Sequence, residues 1–252
     1  MNVADALGGA APAFTAAGCA TPRLDAEVLI AHALGVDRAE IIMRPETAVP
    51  PPAARWLSEA IRRRTRREPV AYITGTQAFR HIDLHVDARV LIPRPESELL
   101  VEIALGEPEG AAVHDLGTGS GAIALAIKQE RPDLRVSASD VATLEVARAN
   151  ASHLGLEVDF EGEGEGLIVA NLPYVREDEW PTLQAEVRFE PRAALVGGLE
   201  VIRAEVGKRP GRRFALEHGH DQGEAVRALL EDPRTLRDLA GHERMTTGVS
   251  TS

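Results

Sequence analysis

The stretch Val113-His114-Asp115-Leu116-Gly117-Thr118-Gly119-Ser120-Gly121-Ala122-Ile123 limits what this chain can fold into more than any other. An apolar strand runs into a turn with glycine at every second position, then directly into a helix. Such glycines allow a tight turn and let a ligand approach the backbone. The turn is not the phosphate-binding Gly-x-x-x-x-Gly-Lys loop. Nor is it the dinucleotide fingerprint, because its third glycine comes one residue too early. The strand carries a carboxylate, Asp115, which would repel a pyrophosphate but can meet a ligand ammonium. That combination favours S-adenosylmethionine over NAD or ATP.

The residues from Ala111 onward alternate strand and helix. The patterning predicts strands over 111–116, 135–139, 158–160, 167–170 and 214–217. Helices are predicted over 122–129, 143–154, 199–206 and 222–230, with a last strand pair near 235–239 and 245–249. This is the texture of an α/β fold, a Rossmann-like parallel sheet covered by helices on both faces. The second strand ends in Asp140, placed to accept bonds from both hydroxyls of a ribose. The competing reading makes Asp140 the N-cap of the helix beginning near Thr143. The strand over 167–170 delivers Asn171, Leu172, Pro173 and Tyr174 at its carboxyl end, where open parallel sheets bind ligands. An Asn carboxamide and a neighbouring backbone carbonyl can hold a planar NH2 group, with the Tyr ring packed against it. The alternative is an ordinary strand-to-loop turn.

Residues 1–67 read as a small helical bundle. Thr21-Pro22 is a plausible helix start, Gly35 a stop, and a second helix follows Pro50-Pro51-Pro52. That helix ends in Arg62-Arg63-Arg64-Thr65-Arg66-Arg67, a basic cluster expected to be a solvated helix end or a patch for an acidic partner. Around residues 68–92, Tyr72–Gly75 and the alternation of Ile82, Leu84 and Val86 predict a β-hairpin. The net charge, 28 − 39 = −11, argues against broad nucleic-acid binding. One cysteine, Cys19, excludes an intramolecular disulfide framework. With no apolar run of bilayer length and no basic leader, a cytoplasmic protein without membrane association is expected.

The chain resembles the N5-glutamine methyltransferases of peptide chain release factors. The resemblance rests on Glu68–Gly75, Leu91-Ile92-Pro93-Arg94-Pro95-Glu96-Ser97-Glu98-Leu99-Leu100, Asp115–Gly121, Asn171–Tyr174, Val187-Arg188-Phe189-Glu190-Pro191 and Glu217-His218-Gly219 with Asp221–Val226. It implies a Rossmann-like class I methyltransferase domain over 93–252, a helical substrate-recognition domain over 1–67 and a β-hairpin linker over 68–92. It also implies S-adenosylmethionine as cofactor, S-adenosylhomocysteine as product, and the Gly-Gly-Gln loop of a release factor as substrate. Asp115, Gly117, Thr118, Gly119, Ser120, Gly121, Asp140 and Asn171 would bind the cofactor. Asn171, Leu172, Pro173 and Tyr174 would form the catalytic motif. A monomer is expected, with no metal and no stable nucleic-acid partner. Arg94 and Glu96 would shape the pocket or cap a helix, while His218 and His220 read as structural. The alternatives are a methyltransferase acting on the exocyclic amine of adenine and a degenerate binding module.

Two features depart from the family. Its motif is Asn-Pro-Pro-Tyr, so Leu172 stands where a proline fixes φ; the carbonyl needed to accept an NH2 survives. Only six residues, all Glu or Gly, join Phe160 to Leu167. A crossover between parallel strands takes a dozen or more. A chain break within Gly162–Gly166, from residues missing in the sequence, is therefore expected, and no adenine contact is assigned.

Overall fold

The computed structural model describes residues 1–162 and 164–251. The chain divides into two units: residues 1–75 with 184–189, and residues 76–183 with those from Glu190 onward.

The first unit holds α1 (Val3–Ala16), α2 (Pro22–Leu34), α3 (Arg38–Met43), α4 (Pro51–Thr65) and α5 (Val70–Thr74). A reciprocal box starts α1: Asp5 N donates to Asn2 Oδ1 at 2.8 Å and Asn2 N to Asp5 Oδ2 at 3.0 Å. Gly35, with φ +67°, ends α2. The Thr21 hydroxyl does not cap that helix; it donates to the Asp25 carboxylate at 2.8 Å. Val3, Phe14, Leu29, Ile30 and Leu57 form the buried core. Within the basic cluster Arg62 and Arg66 are exposed, as expected of a solvated helix end, but Arg63, Arg64 and Arg67 are held in ion pairs. Arg64 is buried and donates to Asp25 (2.8 Å) and Glu186 (2.9 Å), while Arg63 binds Glu68 and Arg67 binds Glu186. Tyr72–Gly75 also departs from expectation, since Val70–Thr74 is helical and buries Ala71, Tyr72 and Ile73. Packing of that face overrides the strand propensity of its β-branched residues.

The second unit opens with the hairpin β1 (Thr76–Phe79) and β2 (Ile82–His85), paired Phe79 to Ile82 and Thr76 to His85. Then follow α6 (Glu98–Leu105), β3 (Ala112–Leu116), α7 (Ala122–Glu130), β4 (Arg135–Ser139), α8 (Glu145–Leu154), β5 (Leu167–Ala170), α9 (Gly198–Gly207), β6 (Arg213–Glu217), α10 (Gly223–Arg227), β7 (Leu230–Arg237) and β8 (Glu243–Ser250). The sheet order is β4-β3-β5-β6-β8-β7. The first four strands are parallel, and β8 runs antiparallel to both β6 and β7. Both faces of β5 are covered: Leu167 and Val169 join the core with α6 and α7, and Ile168 and Ala170 join the core with α9. This is the continuous apolar strand of a doubly covered parallel sheet.

The strand expected over 158–160 is absent as a strand; Asp159 makes a single parallel bridge to Ser137. The helix expected over 222–230 is only five residues long, and Leu230 already belongs to β7. The break expected within Gly162–Gly166 includes Glu163, which lies outside the described residues. On either side of it the backbone runs close to the sheet. A Cβ on Gly162 would stand 2.9 Å from Ser137 Cβ, one on Gly164 3.0 Å from the His114 ring, and one on Gly166 would overlap the Ala112 carbonyl.

Candidate active site

Sheet register puts the chemistry on one edge. Leu116 pairs with Ser139 on one side and Ala170 on the other, and Ala170 pairs with Leu216. The next residues, Gly117, Asp140, Asn171 and Glu217, therefore leave the carboxyl ends of four neighbouring parallel strands. The chain order reverses direction between β3 and β5, and such a switch point opens the ligand crevice of an α/β sheet. Two adjoining clefts lie there. One is lined by Gly117, Thr118, Gly119 and Ser120 with Arg94, Ser97 and Asn171; the other by Asn171, Leu172, Tyr174, Arg94 and Glu217.

The Gly-rich turn holds itself in shape. Gly117 N and Thr118 N both donate to the Ser139 carbonyl, at 2.8 and 3.1 Å. Gly119 has φ +55° and open space where a Cβ would stand, so its backbone is accessible from the cleft. Gly121 has φ +86°, and a Cβ there would meet Leu125 at 2.9 Å and Ala147 at 3.3 Å; its role is close packing of α7. Asp115 is fully buried and faces inward. It accepts from Thr118 Oγ1 (2.6 Å) and Ala124 N (3.1 Å). Among the described residues, its Oδ1 is the one fully buried side-chain nitrogen or oxygen without a hydrogen-bond partner. Burial pushes its carboxyl up to about 7. The Thr118 and Ser120 side chains are buried in the turn as well.

Asp140 does not cap α8, which begins at Glu145 with Leu144 at its N-cap. Instead it accepts from Gly119 N (2.9 Å) and Ala142 N (2.8 Å), tying the end of β4 to the Gly-rich turn. An ionised carboxylate has about four lone-pair sites, so acceptor capacity is left for hydroxyl groups of a ligand. An accessible Gly119 backbone, an unpartnered Asp115 oxygen and a partly exposed Asp140 acceptor together fit S-adenosylmethionine.

Asn171 Nδ2 donates to Ser97 Oγ at 2.9 Å. The Leu172 side chain is buried and packs over the Gly117 backbone, 3.3 Å from where a Cβ there would lie. The Pro173 carbonyl lies 2.7 Å from where a Cβ on Gly197 would stand, so glycine at 197 admits the turn. The Tyr174 hydroxyl donates to Glu217 Oε1 at 3.3 Å, and its carbonyl accepts from Gln222 Nε2 at 2.9 Å. Burial, then the Glu217 charge, raises the phenol above its ordinary range.

Sequence reasoning gave Ser97, Glu190 and Glu217 no role. Glu190 is buried, accepts from Ile92 N at 3.0 Å and pairs with Arg94, which fastens the Pro-Arg-Pro-Glu segment beside the clefts. Glu217 is buried and accepts from Ser97 Oγ at 2.7 Å; burial pushes its carboxyl up to about 7. An acid at the carboxyl end of a central parallel strand was the available signal. His218 is buried, with Nδ1 on the Gly219 carbonyl (2.8 Å) and Nε2 on Thr246 Oγ1 (2.9 Å), a structural placement. The rings of His220 and His242 stand 5.7 Å apart.

Comparison with known proteins agrees with this arrangement. Residues 5–75 match the PrmC N-terminal domain family, and residues 95–165 match the methyltransferase small domain family. The chain is 41% identical to the release factor glutamine methyltransferase of Xylella fastidiosa, over 90% of this chain and 92% of that protein. It is 40% identical to that of Moorella thermoacetica, over 97% of each chain. That alignment runs over 274 residues, so at least 274 − 252 = 22 of its positions have no counterpart here, in keeping with the shortened connections. The solved protein-(glutamine-N5) methyltransferase of Alicyclobacillus acidocaldarius is 26% identical, with a TM-score of 0.38 over 64% of this chain and 95% of that one. With its Gly-rich turn, its strand-end Asp140 and Asn171 and two such relatives spanned nearly end to end, the chain belongs to the release factor glutamine methyltransferase family.

Proposed function

We infer that this chain transfers a methyl group from S-adenosylmethionine to the side-chain amide nitrogen of the glutamine in the Gly-Gly-Gln loop of a peptide chain release factor. The observation that carries the reading is the alignment of Gly117, Asp140 and Asn171 on one sheet edge, within a chain of this family. The cofactor supplies the methyl group on a sulfonium and leaves as S-adenosylhomocysteine. The backbone of Gly117–Gly121 holds its methionine part, and Asp140 accepts from the ribose hydroxyls. Asp115 and Thr118 shape the turn from beneath.

Asn171 Oδ1 and the Leu172 carbonyl accept the two N–H bonds of the target amide. That aims the nitrogen lone pair at the methyl group and draws it out of conjugation with the carbonyl. Pro173 fixes the turn, and the Tyr174 ring packs against the amide. An amide nitrogen is a weak nucleophile, so the main contribution of the protein is placement, which can be worth about 7–11 kcal/mol. No base is required before attack, because the proton is lost from the methylated product. Residues 1–67 serve as the substrate-recognition domain and residues 68–92 as the linker into the catalytic domain. A chain that modifies a translation factor works in the cytoplasm, and a monomer suffices, since every group named here comes from one chain.

Labelled S-adenosylmethionine offered with a release factor, with its Gln-to-Ala variant and with DNA tests the reading. Label on the unaltered factor alone is expected. Label on DNA, or equal label on the variant, contradicts it.

A further inference from the structure

Four side chains form a continuous hydrogen-bonded line at the edge of the clefts. Asn171 Nδ2 donates to Ser97 Oγ (2.9 Å), Ser97 Oγ donates to Glu217 Oε2 (2.7 Å), and the Tyr174 hydroxyl donates to Glu217 Oε1 (3.3 Å). Ser97 and Glu217 are only 4% and 2% exposed, so neither can exchange these partners for water. Ser97 and Glu217 lie 120 residues apart in the chain and meet because α6, which Ser97 precedes, packs against β5 and β6.

The order of donors in this line is fixed by chemistry. An ionised carboxylate only accepts, so the Ser97 proton must point at Glu217. The remaining lone pairs of Ser97 then face Asn171 and can take only an N–H. The Asn171 carboxamide is held in one of its two flip states: its NH2 is committed to Ser97 and its oxygen is left for another partner. Among the described residues nothing donates to Asn171 Oδ1, and Asn171 lines both clefts.

We propose that Glu217, acting through Ser97, is a positioning residue that sets the orientation of the Asn171 carboxamide and so presents Oδ1 as the acceptor for the substrate NH2. This rests on the function inferred above and adds to it the group that makes Asn171 an acceptor rather than a donor. Glu217 also accepts a hydrogen bond from the Tyr174 hydroxyl, so one carboxylate orients both polar side chains of the Asn-Leu-Pro-Tyr motif. A carboxyl that kept its proton could donate to Ser97 and release the constraint. The charged groups facing Glu217 are Arg244, which favours its ionised form, and Glu96, which opposes it; Tyr174 and Ser97 complete its surroundings, and burial outweighs the rest.

Ser97→Ala, Glu217→Gln and the double variant test the proposal, with kcat and KM measured on a release factor across about pH 6 to 8. Each single change is expected to lower kcat about 10- to 100-fold, with the affinity for S-adenosylmethionine within about 2-fold of wild type. The double variant should lose no more than the worse single one, because both act through the same bond. Wild-type kcat should rise with pH through about 7, and the rise should be smaller in Glu217→Gln, where Asp115 alone still titrates in that range. Multiplicative losses, unchanged kcat in both single variants, or a pH profile in Glu217→Gln identical to wild type would overturn it. Wild-type turnover is the control for the inferred function. If it is absent, that function fails, and the orientation is read in the free protein from the Asn171 side-chain NH2 signals in nitrogen-15 NMR. Those signals should shift in both single variants; unchanged signals would overturn the proposal independently.

Discussion

Gly119 and Gly121 share a left-handed backbone but meet different surroundings, so alanine at each separates ligand binding from folding. Alanine in this conformation costs about 1–2 kcal/mol at either position. At Gly121 the new Cβ also collides with Leu125 and Ala147, so Gly121→Ala should cost about 1–3 kcal/mol more. At Gly119 the Cβ enters open space on the cleft side, so its added effect falls on the cofactor. Urea unfolding and calorimetric titration with S-adenosylmethionine distinguish the two. The expected outcome is weakened binding at a modest stability loss for Gly119→Ala, and a larger stability loss for Gly121→Ala. Wild-type affinity in Gly119→Ala would contradict the assignment of the turn.

The buried acids make a second prediction at this scale. Asp115 and Glu217 each titrate at about 7 when folded, against ordinary values of 3.8 and 4.5. Between those limits the folded chain holds protons that the unfolded chain has released. Their contribution to stability is therefore fully present below the unfolded values and lost as pH rises toward 7. Buried His114 and His218, held below the usual imidazole range, act in the opposite sense, so the test is a difference: between about pH 5 and pH 8 the urea midpoint of the ligand-free protein should fall less, or rise more, in Asp115→Asn than in wild type. A variant with the same slope as wild type would show that Asp115 is already ionised at pH 5.

Among the elements, α4 is stapled by charge rather than by its apolar face alone. Arg64 is buried between Asp25 and Glu186, and truncating it leaves buried Asp25 without its cation and Glu186 with Arg67 alone. Arg64→Ala should cost about 3–5 kcal/mol of stability. Arg62, exposed and paired only with Glu59, should cost under about 1 kcal/mol on the same change. Equal losses in urea unfolding would contradict the network.

These elements also mark how far the sequence could be read. Helices α2 and α4 of the first unit and the strands β3 to β6 follow from periodicity and punctuation, because burial on one face or on both leaves a pattern. Val70–Thr74 was misread because five residues are too few for a helical period and are rich in strand formers. The strand over 158–160 failed because, of those residues, only Asp159 bridges to a strand, at Ser137. At the site, the Gly-rich turn, Asp140 and Asn171 were legible as strand-end residues. Ser97 and Glu217 were not, because their meeting depends on where α6 packs on the sheet, and local spacing does not carry that. The Arg62–Arg67 run looked like a surface feature for a related reason: the partners of Arg64 and Arg67 are Asp25 and Glu186, far away in sequence.

For the molecule as a whole, net charge and site composition point to a protein substrate. A net charge of −11 disfavours broad binding to a phosphate backbone, and the clefts offer acceptors suited to a neutral amide. The central claim is that one glutamine side-chain nitrogen receives the methyl group. Fragmentation mass spectrometry of a release factor, after incubation with this protein and S-adenosylmethionine, tests that most directly. The account predicts the mass of one methyl group on the glutamine of the Gly-Gly-Gln peptide and none when Asn171 is changed to Ala. A methyl group on any other residue, or full modification by the Asn171→Ala variant, would contradict it.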